Sequence, residues 1–279
     1  MGGLGNQLFQ IFATISYSID SNNKIFFLNE STLGGEHTTI RPTYWNSFFK
    51  SLKPYLIDNG ININSMYKEE NFRYKRIHNS VDKKSILLLY GYFQSYMYFE
   101  RNFKQICAFL QIKEQKMKIY DNITSSSILT QEILNKATSL HFRIGDYKKI
   151  QDYHPIMSLK YYKDAINYIC SKLDYNPTII YFCEEQDLLD VNETINSLKN
   201  IYPLIEFIRA PNTFEDWEQL LIMSLCKNNI IANSSFSWWG AYLNDTSDKI
   251  ICYPSTWFGP AAGHDVPDLF PKNWNSITV

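Results

Sequence analysis

The sequence predicts an α/β fold whose second half is a parallel sheet covered by helices. Two observations carry this. After about Leu134, short apolar runs alternate with amphipathic stretches, the pattern of a parallel sheet covered on both faces. Near the N-terminus, Leu8, Phe9, Phe12, Ile15 and Ile19 recur at three- and four-residue steps, which is helical spacing.

Taken in order, that first helix runs over Asn6–Ile19 and opens from Gly2-Gly3-Leu4-Gly5. No strand precedes this glycine cluster, whereas glycine-rich nucleotide loops follow one. Lys24–Leu28 reads as a buried strand. Residues 29–82 are irregular and aromatic, with Thr-Thr-Ile-Arg-Pro-Thr-Tyr-Trp at their centre. Ser85–Tyr90 is a strand ended by Gly91, and a helix is expected around Tyr98–Leu110. Strands follow at Thr138–Arg143, Thr178–Cys183, Leu204–Ile208, Asn229–Ala232 and Lys249–Tyr253. Helices are expected over Ser158–Lys172, Glu185–Leu198, Thr213–Cys226 and Phe236–Leu243. In such sheets ligands sit at the carboxyl ends of strands, so chemistry is expected near residues 141–147, 183–185, 209–214 and 232–237.

Composition narrows the function. Hydrophobic residues make up 45% and charged residues 20% of 279 residues, which suits a folded globular chain. The net charge of −1 points away from nucleic acid or an anionic membrane as the main partner, so an anion must be held by a local site. The aromatic share of 16% fits either a Tyr- and Phe-rich core or ring platforms for sugars. Five scattered cysteines show no CxxC pair and no zinc spacing, as expected of buried free thiols in a reducing compartment. No apolar stretch reaches the roughly 18–20 residues a membrane helix needs. No charged n-region with an apolar h-region opens the chain. A soluble, cytoplasmic protein is expected.

Three strings could carry chemistry. In His141-Phe-Arg-Ile-Gly-Asp-Tyr147, residues two apart on a strand share a face, so His141 and Arg143 point the same way. Arg143 at a strand end is either a forked phosphate ligand or half of an ion pair with Asp146 that closes a turn. In Ala232-Asn-Ser-Ser-Phe-Ser-Trp-Trp-Gly-Ala241 a strand gives way to a helix. Its free N–H groups and the hydroxyls of Ser234, Ser235 and Ser237 can cradle an anion, or the serines can be plain N-caps. Trp238 and Trp239 read as packing rather than sugar platforms. In Gly2-Gly-Leu-Gly-Asn-Gln7 the glycines permit close backbone approach. The Asn6 and Gln7 amides can donate to a phosphate or a sugar hydroxyl.

Gly-Gly-Leu-Gly-Asn-Gln-Leu-Phe-Gln, Gly91-Tyr-Phe-Gln-Ser95, His141-x-Arg-x-Gly-Asp-Tyr and Met223-Ser-Leu-Cys-Lys-Asn-Asn-Ile-Ile-Ala-Asn-Ser-Ser-Phe-Ser-Trp-Trp-Gly-Ala241 occur in that order over nearly the whole chain. Together they make the sequence resemble the α-1,2-fucosyltransferase family, glycosyltransferase family 11. The resemblance implies a GT-B-type architecture of two Rossmann-like domains facing across a cleft. Residues 1–136 would form an acceptor-side domain and 137–279 a GDP-sugar-binding domain. It implies inverting, metal-independent transfer of L-fucose from GDP-fucose to a galactose-containing glycan. No Asp-x-Asp metal motif occurs, and no metal ligand or other cofactor is expected.

Carried over, Arg143 would bind the β-phosphate and stabilise the leaving GDP, with His141 positioning the nucleotide. Asn233, Ser234, Ser235, Phe236 and Ser237 would wrap the pyrophosphate. Gly5 and Asn6 would reach the donor from the other domain. The family's Ser-Asp-Asp is replaced by Cys183-Glu184-Glu185, and its Asp by Gln219; both places are expected to face the guanine. Asp216 could instead cap its helix with Thr213. The attacking hydroxyl needs a base, for which Asp146 and His154 are the candidates. Asp146 could equally hold Arg143. A catalytically silent sugar-binding protein, or a transferase of another GDP-sugar or linkage, is the competing reading.

Overall fold

The structure is a computed structural model that describes residues 2–35, 39–58, 60, 62–78, 85–125 and 129–279. The chain parts into two compact units, Met1–Gln115 with His264–Pro271, and Lys116–Gly263 with Lys272–Val279. The expected boundary at 136/137 falls inside the second unit, between α4 (Gln131–Lys136) and β7 (Ala137–His141).

The N-terminal unit is built around α1 (Leu4–Ser21), which starts from Gly3 and ends at Asn22 in a left-handed conformation. Leu8, Phe9 and Phe12 are fully buried. Phe12 meets Phe99 at 5.5 Å and Phe103 at 5.9 Å between ring centres. The strands come in two-stranded pairs. β1 (Phe27–Leu28) runs parallel to β4 (Leu56–Ile57), β2 (Thr32–Leu33) antiparallel to β3 (Arg41–Pro42), and β5 (Ser65–Lys68) parallel to β6 (Leu87–Tyr90).

Two expectations fail in this unit. Lys24–Leu28 is not a buried strand: Phe26 and Leu28 are each 47% exposed, because only two residues pair, with a strand equally short. Tyr98–Leu110 is not one helix. Tight turns at Tyr96–Tyr98 and Glu100–Asn102 precede α2 (Phe103–Phe109). Tertiary demands explain this: Phe99 is buried against Phe9 and Phe12, and the Asn102 amide donates to Ser16 Oγ and Asp20 Oδ1 of α1. Within the irregular stretch 29–82, residues 36–38, 59, 61 and 79–82 lie outside the described residues.

Two helices not expected from sequence follow, α3 (Ile112–Ser125) and α4. The second unit then alternates as expected. After β7 come α5 (Leu159–Cys170), β8 (Thr178–Phe182), α6 (Leu188–Ile201), β9 (Phe207–Arg209) and α7 (Asp216–Leu225). β10 (Asn228–Ile230), α8 (Ser235–Tyr242), β11 (Ile251–Pro254) and a further strand, β12 (Asn275–Ile277), complete it. All six strands are parallel, in the order β12-β11-β10-β7-β8-β9. This is the doubly wound order 3-2-1-4-5-6, which reverses between β7 and β10.

β7 is buried at every residue. Tyr161, Tyr162, Ile166 and Ile169 of α5 join Val191, Ile195 and Leu198 of α6 in one core layer. α7 packs with α8, where Trp238 and Trp239 are fully buried, Trp238 stacked on Tyr242 at 4.6 Å. Both tryptophans are therefore core residues. α7 is capped reciprocally by Glu215 and Glu218, with the Glu215 N–H donating to Glu218 at 2.8 Å, so the N-cap is Glu215 rather than Thr213, the alternative weighed for Asp216. Among the described residues no helix is long and apolar enough to cross a membrane.

Candidate functional site

The strand order reverses between β7 and β10, and doubly wound sheets bind ligands in the crevice outside the carboxyl ends of the strands at such a point. Both strings singled out in this half emerge there. His141 ends β7 and Arg143 lies two residues on; Asn233 and Ser234 follow β10 and lead into α8.

His141 is buried, with Nδ1 2.9 Å from Ser237 Oγ and its ring beside Phe236. The Tyr162 hydroxyl donates to its carbonyl at 3.2 Å. Burial and, secondly, the neighbouring Arg143 charge push its pKa down to about 3. It is a neutral imidazole at pH 7 that joins β7 to α8.

Arg143 keeps only 17% of its side chain exposed. Its guanidinium binds Asp146 and Glu184 and lies 4.9 Å from the centre of the Tyr147 ring. Burial opposes its charge, but Tyr147, Asp146 and Glu184 outweigh that and hold the pKa above its ordinary value. The Arg143–Asp146 pair foreseen from sequence exists, yet Glu184 from the end of β8 makes it a three-membered cluster. Asp146 thus does at least the rival job considered for it, holding Arg143. Gly145 has φ +29 and donates its N–H to Asp187 at 2.7 Å. A side chain there would be strained and would crowd Glu184.

The five residues Asn233–Ser237 divide by depth. Asn233 is buried, and its amide donates to the carbonyls of Pro155 (2.9 Å) and Trp257 (3.2 Å), while its Oδ1 is buried without a partner. Ser234 is the N-cap of α8, its hydroxyl accepting from Phe236 N–H. Ser237 is 1% exposed and is engaged by His141. Only Ser235 and Phe236 are half-exposed, so they form the reachable rim of the helix start. Asn233, Ser234 and Ser237 brace that rim from behind.

His154 stacks on Tyr147 at 4.7 Å, abuts Phe258, and has a buried Nδ1 without a hydrogen-bond partner. Burial lowers its pKa, with Arg143 acting the same way and Asp146 opposing. Tyr147 also donates to the Asn233 carbonyl at 3.1 Å. This tyrosine, which sequence reasoning quoted but gave no role, links Arg143, His154 and Asn233.

At the next strand ends, Glu185 is engaged by Arg209, the last residue of β9, and by Asn212 at 3.4 Å. Gln219 Nε2 donates to the Phe214 carbonyl at 3.0 Å. Arg209 was missed from sequence; its position at a strand end was the available signal.

In the N-terminal unit, Gly2 has φ +79, and a Cβ there would lie 2.4 Å from Asn6 Nδ2. Only glycine fits both demands. Gly5 is buried in the first turn of α1. Gln94 Nε2 donates to Asn6 Oδ1 at 2.9 Å, and Gln7 Nε2 donates to the Gly2 and Pro42 carbonyls. Gln94 is set by Glu69, whose carboxylate accepts the N–H groups of Tyr92 and Phe93 and holds Phe93 at φ 54. Among the described residues no group of three His, Cys, Asp or Glu could hold a metal ion.

Comparison with known proteins agrees with these motifs. The chain is 29% identical over 307 aligned positions to the O-antigen biosynthesis glycosyltransferase WbnK of Escherichia coli, covering 99% of this chain and 98% of that one. It is 27% identical to an α-1,2-colitosyltransferase of Escherichia coli, covering 99% and 96%. Among solved structures, the E. coli ADP-heptose LPS heptosyltransferase II aligns over 59% of this chain and 43% of that one, at 13% identity and a TM-score of 0.38. A glycosyl transferase family 9 protein from Veillonella parvula aligns over 60% and 40%, at 15% and 0.36. The profile of glycosyl transferase family 11 matches residues 2–278, and the chain, with His141, Arg143 and the Ser234–Ser237 run gathered at one sheet crevice, belongs to that family.

Proposed function

We propose that the protein moves L-fucose, with inversion, from GDP-fucose to the 2-hydroxyl of a terminal galactose. The observation that carries this reading is that β7, at the reversal of strand order, sets His141 on Ser237 of α8 and ends two residues before the half-buried Arg143. Breaking the fucose–phosphate bond puts negative charge on the leaving diphosphate, and fixed donors aimed at that charge are the strongest catalytic device available. Arg143 supplies a forked cation, and the Ser235 hydroxyl with the first N–H groups of α8 supplies a dipolar cradle. The carboxylates of Asp146 and Glu184 hold the guanidinium until diphosphate oxygens replace them. His141, neutral and buried, keeps β7 and α8 in register. The acceptor hydroxyl attacks from the opposite face, assisted by a base. Asp146 and His154 are the candidates, both on the β7 side of the crevice. The roles of Gly5 and Asn6 toward the donor rest on the family resemblance.

The experiment is hydrolysis of GDP-fucose and its transfer to lactose, in EDTA and with added Mg²⁺. Transfer that survives EDTA supports a metal-independent fucosyltransferase. Absence of both hydrolysis and transfer points to a silent binding protein. A second reading is favoured by the colitosyltransferase relative: the sugar on GDP could be colitose, in which case GDP-colitose is consumed faster than GDP-fucose under identical conditions.

A further inference from the structure

One face of α1 runs from the glycine turn to a groove that the proposed chemistry does not use. Asn6, Gln10, Ala13, Tyr17 and Asp20 are spaced at four- and three-residue steps, so they form one stripe along the helix. At 1.5 Å per residue, Tyr17 lies about 16 Å along the helix from Asn6. Beside the far half of this stripe lies a cavity of about 280 Å³, close to the roughly 300 Å³ at which small-molecule sites begin. Its second wall is the turn at residues 97–101, a few residues after Gln94, which binds Asn6. Its third is the extended segment carrying Tyr74 and Arg76.

The lining is amphipathic and cationic. Tyr17, Tyr74 and Tyr98 bring three rings, with Tyr74 edge-on to Tyr98 at 4.9 Å. Burial raises the pKa of Tyr17 and Tyr98, so both remain neutral hydroxyls. Such rings offer apolar faces and polar tips together, which suits the mixed surface of a saccharide. Of the charges, Asp20 is already paired with Arg101 at 3.0 Å and accepts from Asn102. Arg76 has no ion pair or hydrogen bond among the described residues. Among the described residues, the groove therefore presents one guanidinium without an ion pair, a group shaped to take carboxylate or phosphate oxygens in pairs.

We propose that this groove binds an acidic saccharide, the part of the acceptor glycan beyond the reacting sugar, with Arg76 engaging its anionic group and the tyrosines its rings. The proposal rests on the reading of the protein as a glycan-modifying transferase. It makes Arg76 a specificity-determining residue, in a segment with no recognisable motif.

The test is calorimetric titration of the full chain with galactose-terminated trisaccharides. One carries a glucuronate at the third residue, one its methyl ester, and one a phosphate in place of the carboxylate. A charge-assisted pair contributes about ten- to hundredfold in affinity. The acid is therefore expected to bind at least tenfold more tightly than the ester, and the phosphate arm shows which anion fits better. Arg76→Gln, at an exposed position, should erase the acid–ester difference at an unchanged melting temperature. Tyr17→Ser should weaken acid and ester alike. Equal binding of acid and ester, no binding of either, or a preference that Arg76→Gln leaves intact would overturn the proposal. Because these titrations need no turnover, the two readings fail separately. Loss of fucose transfer with the acid preference intact removes the donor assignment alone. Transfer without that preference removes the groove alone.

Discussion

In the C-terminal unit, β7, β8 and β9 bring His141, Arg143, Glu184 and Arg209 to successive points along the carboxyl end of one six-stranded parallel sheet, and its backbone ladders fix the strand ends from which they emerge. In the N-terminal unit the strands come in isolated pairs of two to four residues. There the polar groups are placed by ring packing and single side-chain bonds: Phe9 and Phe12 on Phe99, Glu69 on the turn before Gln94, Gln94 on Asn6. The first arrangement spreads positional control over many hydrogen bonds. The second concentrates it in a few side chains, so single substitutions should move it further. It also lets binding surfaces change without breaking a sheet, which suits a region expected to choose among acceptors.

The largest expected effect tests this difference in stability. Phe12→Ala and Trp238→Ala each remove a fully buried ring and should each cost about 3–5 kcal/mol. Hydrogen exchange read by peptide should show where. Phe12→Ala should loosen residues 2–35 and 85–115 while β7, β8 and β10 stay protected. Trp238→Ala should loosen the sheet. Uniform loss of protection in both variants would mean that the units unfold as one, contrary to the comparison.

A smaller effect separates surface from support at the α8 start. Ser235→Ala should weaken GDP binding about ten- to hundredfold, the value of one charge-assisted bond, with little change in melting. Ser234→Ala removes an N-cap and should lower stability by about 1 kcal/mol. Calorimetry and thermal melting on both variants check the assignment. The same dissociation constant for Ser235→Ala and wild type would return that serine to a structural role.

The smallest effect is a pH slope of opposite sign in the two units. His141 has a folded pKa of about 3 against an unfolded value near 6.5. Between these values the unfolded chain binds more protons, so stability falls as pH falls, by at most about 1.4 kcal/mol per pH unit. Glu69 has a folded pKa raised by burial. Above its unfolded value the folded state binds more protons, so acidification toward that value stabilises the N-terminal unit. Urea midpoints between pH 7 and 4.5 should therefore flatten in His141→Asn and steepen in Glu69→Gln. Parallel shifts in both variants would contradict the contrast.

The same contrast decided what could be read from the sequence. The alternation after Leu134 exposed β7 to β11 within a few residues, because strands buried on both faces are continuous apolar runs. Strand-end position then pointed to His141, Arg143 and the serine run. It did not separate Ser235 from the buried Ser234 and Ser237, since depth along a helix start depends on what packs behind it, here His141 against Ser237. Nor did it show that Glu184 joins Arg143, a pairing across adjacent strand ends. In the N-terminal unit α1 and the strand at Ser85–Tyr90, found as β6, were plain. The buried strand expected at Lys24–Leu28 and the helix at Tyr98–Leu110 yielded to partners distant in sequence, Leu56–Ile57 and the α1 residues Phe9, Phe12 and Ser16. α3 and β12 were missed: one is a polar helix with a weak apolar stripe, the other three residues of a sheet edge.

The central claim is that Arg143 serves the leaving diphosphate rather than only its carboxylate neighbours, and Arg143→Lys tests it most directly. Lysine keeps the charge and can still pair with Asp146 and Glu184, but it loses the planar fork. If the guanidinium stabilises charge that grows as the sugar–phosphate bond breaks, the loss falls on kcat rather than on KM for the donor. Steady-state transfer by wild type and Arg143→Lys, with melting temperature as the fold control, is predicted to show kcat reduced by about 10²–10³ at a normal melting temperature. A variant that melts normally and keeps more than about a tenth of the wild-type kcat would contradict the assignment.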